Sequence, residues 1–159
     1  FEQRRAWLSE GEAEGAPSEQ LKNWRDGRVK LGIVRRALAL RAHAHSLFER
    51  GSYVPLNVEG AHADSVIAFA RHTGTAYVVV IATRLADSLL TQNDTGLPLV
   101  DAAHWGDTAV LLPEALASRA LFDWLSPNAP KSDGQRLFMR DALASMPVAL
   151  LMEEGVPRV

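Results

Sequence analysis

The chain has 159 residues, 47% of them hydrophobic and 23% charged, with a formal net charge of -2 and no cysteine. That is an ordinary globular composition, long enough to bury a real core. The charge balance gives no basic footprint for nucleic acid or an anionic membrane, so neither is an expected partner. Without cysteine there is no disulfide framework, thiolate metal cluster or thiol nucleophile, and a reducing compartment, the cytoplasm, is the expectation. The longest apolar run, residues 76–82, falls far short of the roughly 20 residues of a membrane-crossing helix and reads as a buried strand.

Phe1, Arg4, Arg5 and Leu8 recur at helical spacing with Trp7 beside them, so residues 1–9 read as the tail of a helix. The chain opens without Met or a signal-like apolar segment and is expected to be a piece of a longer one. Residues 10–17 are acidic and glycine-punctuated, a solvated loop whose carboxylates lack the fixed spacing of a calcium site. Ser18 is placed to cap a short helical segment through residue 24, and Asp26 to cap a longer helix over about 27–48. In that helix Val29, Ile33, Ala37, Leu40, Ala44 and Leu47 form a stripe that Val34, Leu38 and Phe48 widen. Arg28, Arg35, Arg36 and Arg41 fall beside or opposite the stripe and read as a solvated face. Gly32, about 1 kcal/mol worse than alanine in mid-helix, marks either a close approach of another backbone or drift.

Beyond Gly51 the period changes from helical to alternating. Strands are expected over 53–58, 66–71 and 76–83, the last two joined by a short turn at His72, Thr73 and Gly74. Further strands are expected over 108–112, 120–124, 136–139 and 148–152. Residues 86–90 and 141–146 are expected to hold single helical turns, and Gln92 to Gly96 carry turn chemistry. Six or seven short strands at regular spacing predict an antiparallel sandwich in which Val78, Val80, Val148 and Leu150 face one core. The fold class expected is therefore α+β, with a helical segment over 1–50 and a β-sandwich domain over 51–159.

No metal site is expected. His43 and His45 lie two apart on a helix and point about 200° apart, and His62, His72 and His104 fall in turns or loops. There is no nucleophile elbow, P-loop or dinucleotide fingerprint. Asp107, beside Trp105, and Asp123, between Phe122 and Trp124, suit a grip on a sugar ring, but indoles at strand edges of a sandwich also serve as core. No pair of carboxylates stands out as flanking a scissile glycosidic bond.

The run Trp24-Arg25-Asp26-Gly27-Arg28-Val29-Lys30-Leu31 comes first in a succession of further blocks. These are the helix end Ala42 to Phe48, then Gly51-Ser52-Tyr53-Val54-Pro55-Leu56, Val66 to Arg71, Trp105-Gly106-Asp107-Thr108 and Met146 to Leu151. Together they resemble the C-terminal part of maltooligosyltrehalose synthase, in the α-amylase superfamily. The resemblance implies a (β/α)-barrel whose last helices occupy residues 1–50 here, followed by a C-terminal β-sandwich. It implies a parent enzyme that turns the reducing-end α-1,4 bond of a maltooligosaccharide into an α,α-1,1 bond by retaining double displacement. No acid of this chain matches the family's catalytic motifs, so catalytic residues and cofactors are expected to be none. The expected role is structural, with Trp24, Arg28, Lys30 and Trp105 as candidate substrate contacts. The expected partners are the maltooligosaccharide and the missing barrel, with self-association of the piece through exposed Val29, Ile33, Ala37 and Leu40. The rival role is a carbohydrate-binding module working through Trp105, Trp124 or Tyr53.

Overall fold

The structure, a computed structural model, describes Glu2, Arg5, Ala6 and residues 16–90 and 96–153. Glu2, Arg5 and Ala6 are helical; the rest of the helix expected over 1–9, most of the acidic loop over 10–17, and Gln92 to Thr95 lie outside the described residues.

Ser18 makes no side-chain capping bond, and the short helical segment expected through Trp24 is a 3-10 helix, Glu19–Asp26, that ends two residues later. Gly27, at φ 89, occupies the N-cap position of α1 (Arg28–His43). Asp26 sits one residue earlier yet still serves the helix start: its Oδ1 accepts from the Arg28 amide at 2.8 Å, and its Oδ2 from Arg28 Nε at 2.8 Å. The helix expected over 27–48 is two, α1 and α2 (His45–Arg50), divided at Ala44 with φ -99 and ψ 40. No Gly or Pro marks that break. Its effect is to keep Leu40, Ala44 and Leu47 against the same sheet as the chain bends. Gly32 is buried where Pro17 and Gln20 cross the helix: a Cβ there would lie 3.1 Å from Gln20 Oε1 and 3.5 Å from Pro17 Cγ. The close approach is made by side chains, not by a backbone.

Eight strands build two antiparallel sheets among the described residues: β1 (Ser52–Pro55), β2 (Val58–Glu59), β3 (Val66–Thr73), β4 (Ala76–Thr83), β5 (Ala109–Leu111), β6 (Leu121–Asp123), β7 (Arg136–Phe138) and β8 (Val148–Glu153). The larger sheet has the order β1-β3-β4-β8-β6 and the smaller β2-β5-β7. The class is α+β. The strand expected over 53–58 is split: Tyr53 to Pro55 lie in one sheet, and Val58 pairs in the other. The Leu56 amide still donates to the Ala68 carbonyl of β3 at 3.0 Å, and the Asn57 carbonyl accepts from the Leu111 amide of β5 at 2.9 Å, so the chain crosses between the sheets at Leu56 and Asn57. β3 and β4 form a hairpin across Gly74 and Thr75, Gly74 at φ 55. The two isolated helical turns are Asp87–Leu90 and Met139–Ala142, the second two residues earlier than expected.

The larger sheet is covered on both faces. Val79, Ile81, Ala149 and Leu151 join Val110 and Leu137 in the core between the sheets. On the other face Val78, Leu150 and Met152 meet Leu40 and Leu47 of the helices, with Val80 and Val148 packed beside them. Val78, Val80, Val148 and Leu150 do share a face, as their alternation predicts, but it is the helix-facing one. Leu40 and Leu47, 0% and 2% exposed, each stabilise this layer by about 1.5–3 kcal/mol. Arg71 of β3 reinforces it, its Nη2 donating to the carbonyls of Phe48 at 3.0 Å and Gly51 at 2.8 Å. The change from helix to strand falls at Gly51, and the core runs continuously across it.

Candidate functional site

The Trp24 to Leu31 block turns the chain from the 3-10 segment into α1, and Gly27 at its centre has open space where a Cβ would stand. Surface recesses flank that glycine. One, of about 420 Å³, is lined by Lys22, Asn23, Trp24, Arg25, Asp26 and Arg28. The other, of about 250 Å³, is lined by Gly27, Lys30, Leu31 and Val34.

Trp24 is half-buried, its indole N–H donating to the Gly96 carbonyl at 3.3 Å, and the Arg25 guanidinium lies 4.5 Å from its ring centroid. Much of this indole is therefore already engaged, by a backbone acceptor and by a cation. Arg28 is tied to Asp26, and the Arg28 amide and guanidinium together hold the Asp26 carboxyl below the usual carboxylate range. Lys30 is exposed on the rim of the apolar recess. The structure thus brings Trp24 and Arg28 to one recess and Lys30 to its neighbour.

Trp105 is elsewhere. It ends a short helix, Ala102–Trp105, started by Asp101, whose Oδ1 accepts from the Ala103 amide at 2.9 Å, and it lies 1% exposed in the core between the sheets. It presents no face to a sugar. Trp124, 3% exposed, is likewise core, its Nε1 donating to the Arg36 carbonyl of α1 at 3.0 Å. Tyr53 is the exposed member of the three, 58% open on β1 with its ring centroid 4.9 Å from that of Phe69.

Asp123 is 2% exposed, and its carboxylate is consumed by structure: Oδ1 accepts from the amides of Leu125 at 3.1 Å and Leu150 at 2.9 Å, and Oδ2 from Ser126 Oγ at 2.5 Å. Asp107 is exposed. His43 and His45 are exposed, and among the described residues no three metal-ligating side chains cluster.

The pattern reading missed the outer face of α1. Val34 and Leu38, assigned to a widened buried stripe, are 46% and 58% exposed, and Leu31 is half-buried on the same side. Conversely, Val29, Ile33, Ala37 and Leu40, expected to be uncovered in the piece alone, pack against the large sheet or the 3-10 segment. The signal was available: Leu38 is two residues from Leu40 and so points about 200° round the axis from it. α1 carries apolar side chains on opposite faces.

No family model matches the chain, and no curated protein matches it. Among solved structures, a mutant of maltooligosyltrehalose synthase from Arthrobacter ramosus is similar, at 30% sequence identity and a TM-score of 0.58. The chain resembles one portion of maltooligosyltrehalose synthase. The similarity covers 87% of this chain and 16% of the synthase, which is consistent with a C-terminal portion. At that identity and extent it takes in both the helices and the sheets, the arrangement that the succession of motifs implies.

Proposed function

We propose that the chain is the C-terminal portion of an enzyme converting the reducing-end α-1,4 bond of maltodextrin into an α,α-1,1 bond, an isomerisation without net hydrolysis. Within that enzyme this portion is structural and non-catalytic. The similarity to maltooligosyltrehalose synthase carries the reading, and the motifs quoted above support it. The engagement of Asp123 in the sheet agrees with it, because a carboxylate that accepts from two backbone amides and a hydroxyl is held for folding, not for attack on a sugar. The nucleophile and acid/base of a retaining mechanism would lie in the preceding polypeptide, with the maltooligosaccharide bound there, and the cytoplasm is the expected compartment.

The test is the loss of reducing ends from maltohexaose, comparing the full-length encoded polypeptide with the 159-residue chain at equal molarity. Loss with the full-length polypeptide alone, without released glucose, is the expected result. Loss with the 159-residue chain alone would refute the structural role, and no loss with either would refute the family reading. The alternative role, glucan contact, falls to Tyr53, whose exposed ring, tilted against that of Phe69, offers an apolar face and a polar hydroxyl to a sugar. It requires the chain to bind maltodextrin and Tyr53→Ala to abolish that binding.

A further inference from the structure

We infer that the outer face of α1, formed by Leu31, Val34 and Leu38, is the surface on which the catalytic portion of the same polypeptide docks; this rests on the reading given under Proposed function. A helix apolar on one face is covered on one side, whereas a helix apolar on opposite faces is an interior helix, held between two layers. The inner face of α1 already has its layer, since Leu40 is 0% exposed against the large sheet. Among the described residues the outer face has none: Val34 and Leu38 are 46% and 58% exposed, one turn apart, with Leu31 one turn before Val34. At the start of that face the apolar recess of about 250 Å³, bounded by Gly27, Lys30, Leu31 and Val34, gives room for an inserted aliphatic or aromatic side chain.

Two observations choose the occupant. The first is extent: the solved synthase is matched over only 16% of its length, so in such a protein most of the polypeptide lies outside the part seen here. The second is area. Three partly exposed side chains offer roughly 200 Å² of apolar surface, against the roughly 800 Å² per partner of a stable interface between separate chains. A patch that small suits a neighbour joined covalently, whose effective concentration is already high, and not a second copy. The rim adds chemistry. Lys30, Arg35 and Arg41 border the stripe, and none of them is paired with a carboxylate among the described residues. The occupant is accordingly an apolar ridge edged by Asp or Glu.

Hydroxyl-radical footprinting of the full-length polypeptide and of the 159-residue chain tests this. The expected result is loss of oxidation at Leu31, Val34 and Leu38 in the full-length polypeptide, with Leu40 protected in both. In parallel, Leu38→Asp is expected to lower the melting temperature of the full-length polypeptide and leave that of the 159-residue chain unchanged. Equal oxidation of the stripe in both samples would overturn the docking. Protection that appears in the 159-residue chain as its concentration rises would also overturn it, in favour of a second copy. Reducing-end consumption by the same full-length sample reports separately on the enzyme reading, so a polypeptide that consumes reducing ends with its stripe fully oxidised refutes the docking alone.

Discussion

Asp123 is the residue whose role separates a structural portion from a sugar-contacting one. Replacing it with alanine removes the acceptor for the amides of Leu125 and Leu150 and for Ser126 Oγ, at a site 2% exposed. A buried donor left unsatisfied costs about 1–3 kcal/mol. Two amides at the middle of that range, together with about 1 kcal/mol for the lost hydroxyl bond, give an expected destabilisation of about 5 kcal/mol. Asp123→Asn keeps a side-chain oxygen for the two amides and turns an N–H₂ toward Ser126 Oγ, which can accept, so its expected cost is about 1 kcal/mol. Urea denaturation followed by tryptophan fluorescence reads both, with Trp124 adjacent in sequence as a reporter. The ordering is the content: alanine far worse than asparagine, with an unchanged denaturant slope for the asparagine variant. An alanine variant within about 0.5 kcal/mol of the parent would refute the reasoning, because the two amides would then have found other acceptors.

Gly60, at φ +99, has the backbone of Thr108 against it, a built Cβ falling 2.6 Å from Thr108 Cα and 2.8 Å from its nitrogen. Gly60→Ala is expected to cost more than about 2 kcal/mol in the same denaturation experiment, since both the dihedral and the contact oppose it. Asp26 makes stability depend on acid. Its carboxyl is held below the ordinary range, so the stabilisation is present above the unfolded pKa, near 3.8, and is lost as pH falls through the lower folded value. The melting temperatures of the parent and Asp26→Asn should differ at neutral pH and converge in strong acid; a difference independent of pH would refute the assignment. Trp124→Phe removes the bond to the Arg36 carbonyl and leaves a partial cavity under α1, and about 2–3 kcal/mol of lost stability is expected by thermal unfolding.

Short apolar runs bounded by turn residues were sufficient to find nearly every strand, with clear alternation in β3, and β4 falls on the span expected. They were not sufficient to assign strands to sheets. In β4 Val78 and Val80 face the helices while Val79 and Ile81 face the smaller sheet, so both faces are apolar and periodicity does not say which layer covers which. The division of residues 53–58 between two sheets is decided by the pairing of Val58 and Glu59 with Val110 and Ala109, far along the chain. The break at Ala44 has no local signal at all, and tertiary packing of Leu47 decides it.

At the candidate site the limit was of another kind. A tryptophan in sequence reads the same whether it is core or surface, so Trp105 and Trp124 could be told from Tyr53 only by their 1%, 3% and 58% exposures. The stripe of α1 was legible residue by residue but was fused into one face, because Val34 and Leu38 adjoin the buried positions in a list and lie away from them on the helix. Once the register is drawn, the same residues account for two facts together. α1 has its sheet layer beneath Leu40, and it keeps a second apolar face for which the described chain supplies no layer. The longest helix among the described residues, apolar on both sides, fits the proposed seam between this portion and the rest of a longer enzyme. On that view the Trp24 to Lys30 block, which sets the start and orientation of α1 through Asp26 and Gly27, governs how the seam is presented, without any of its side chains needing to touch a sugar.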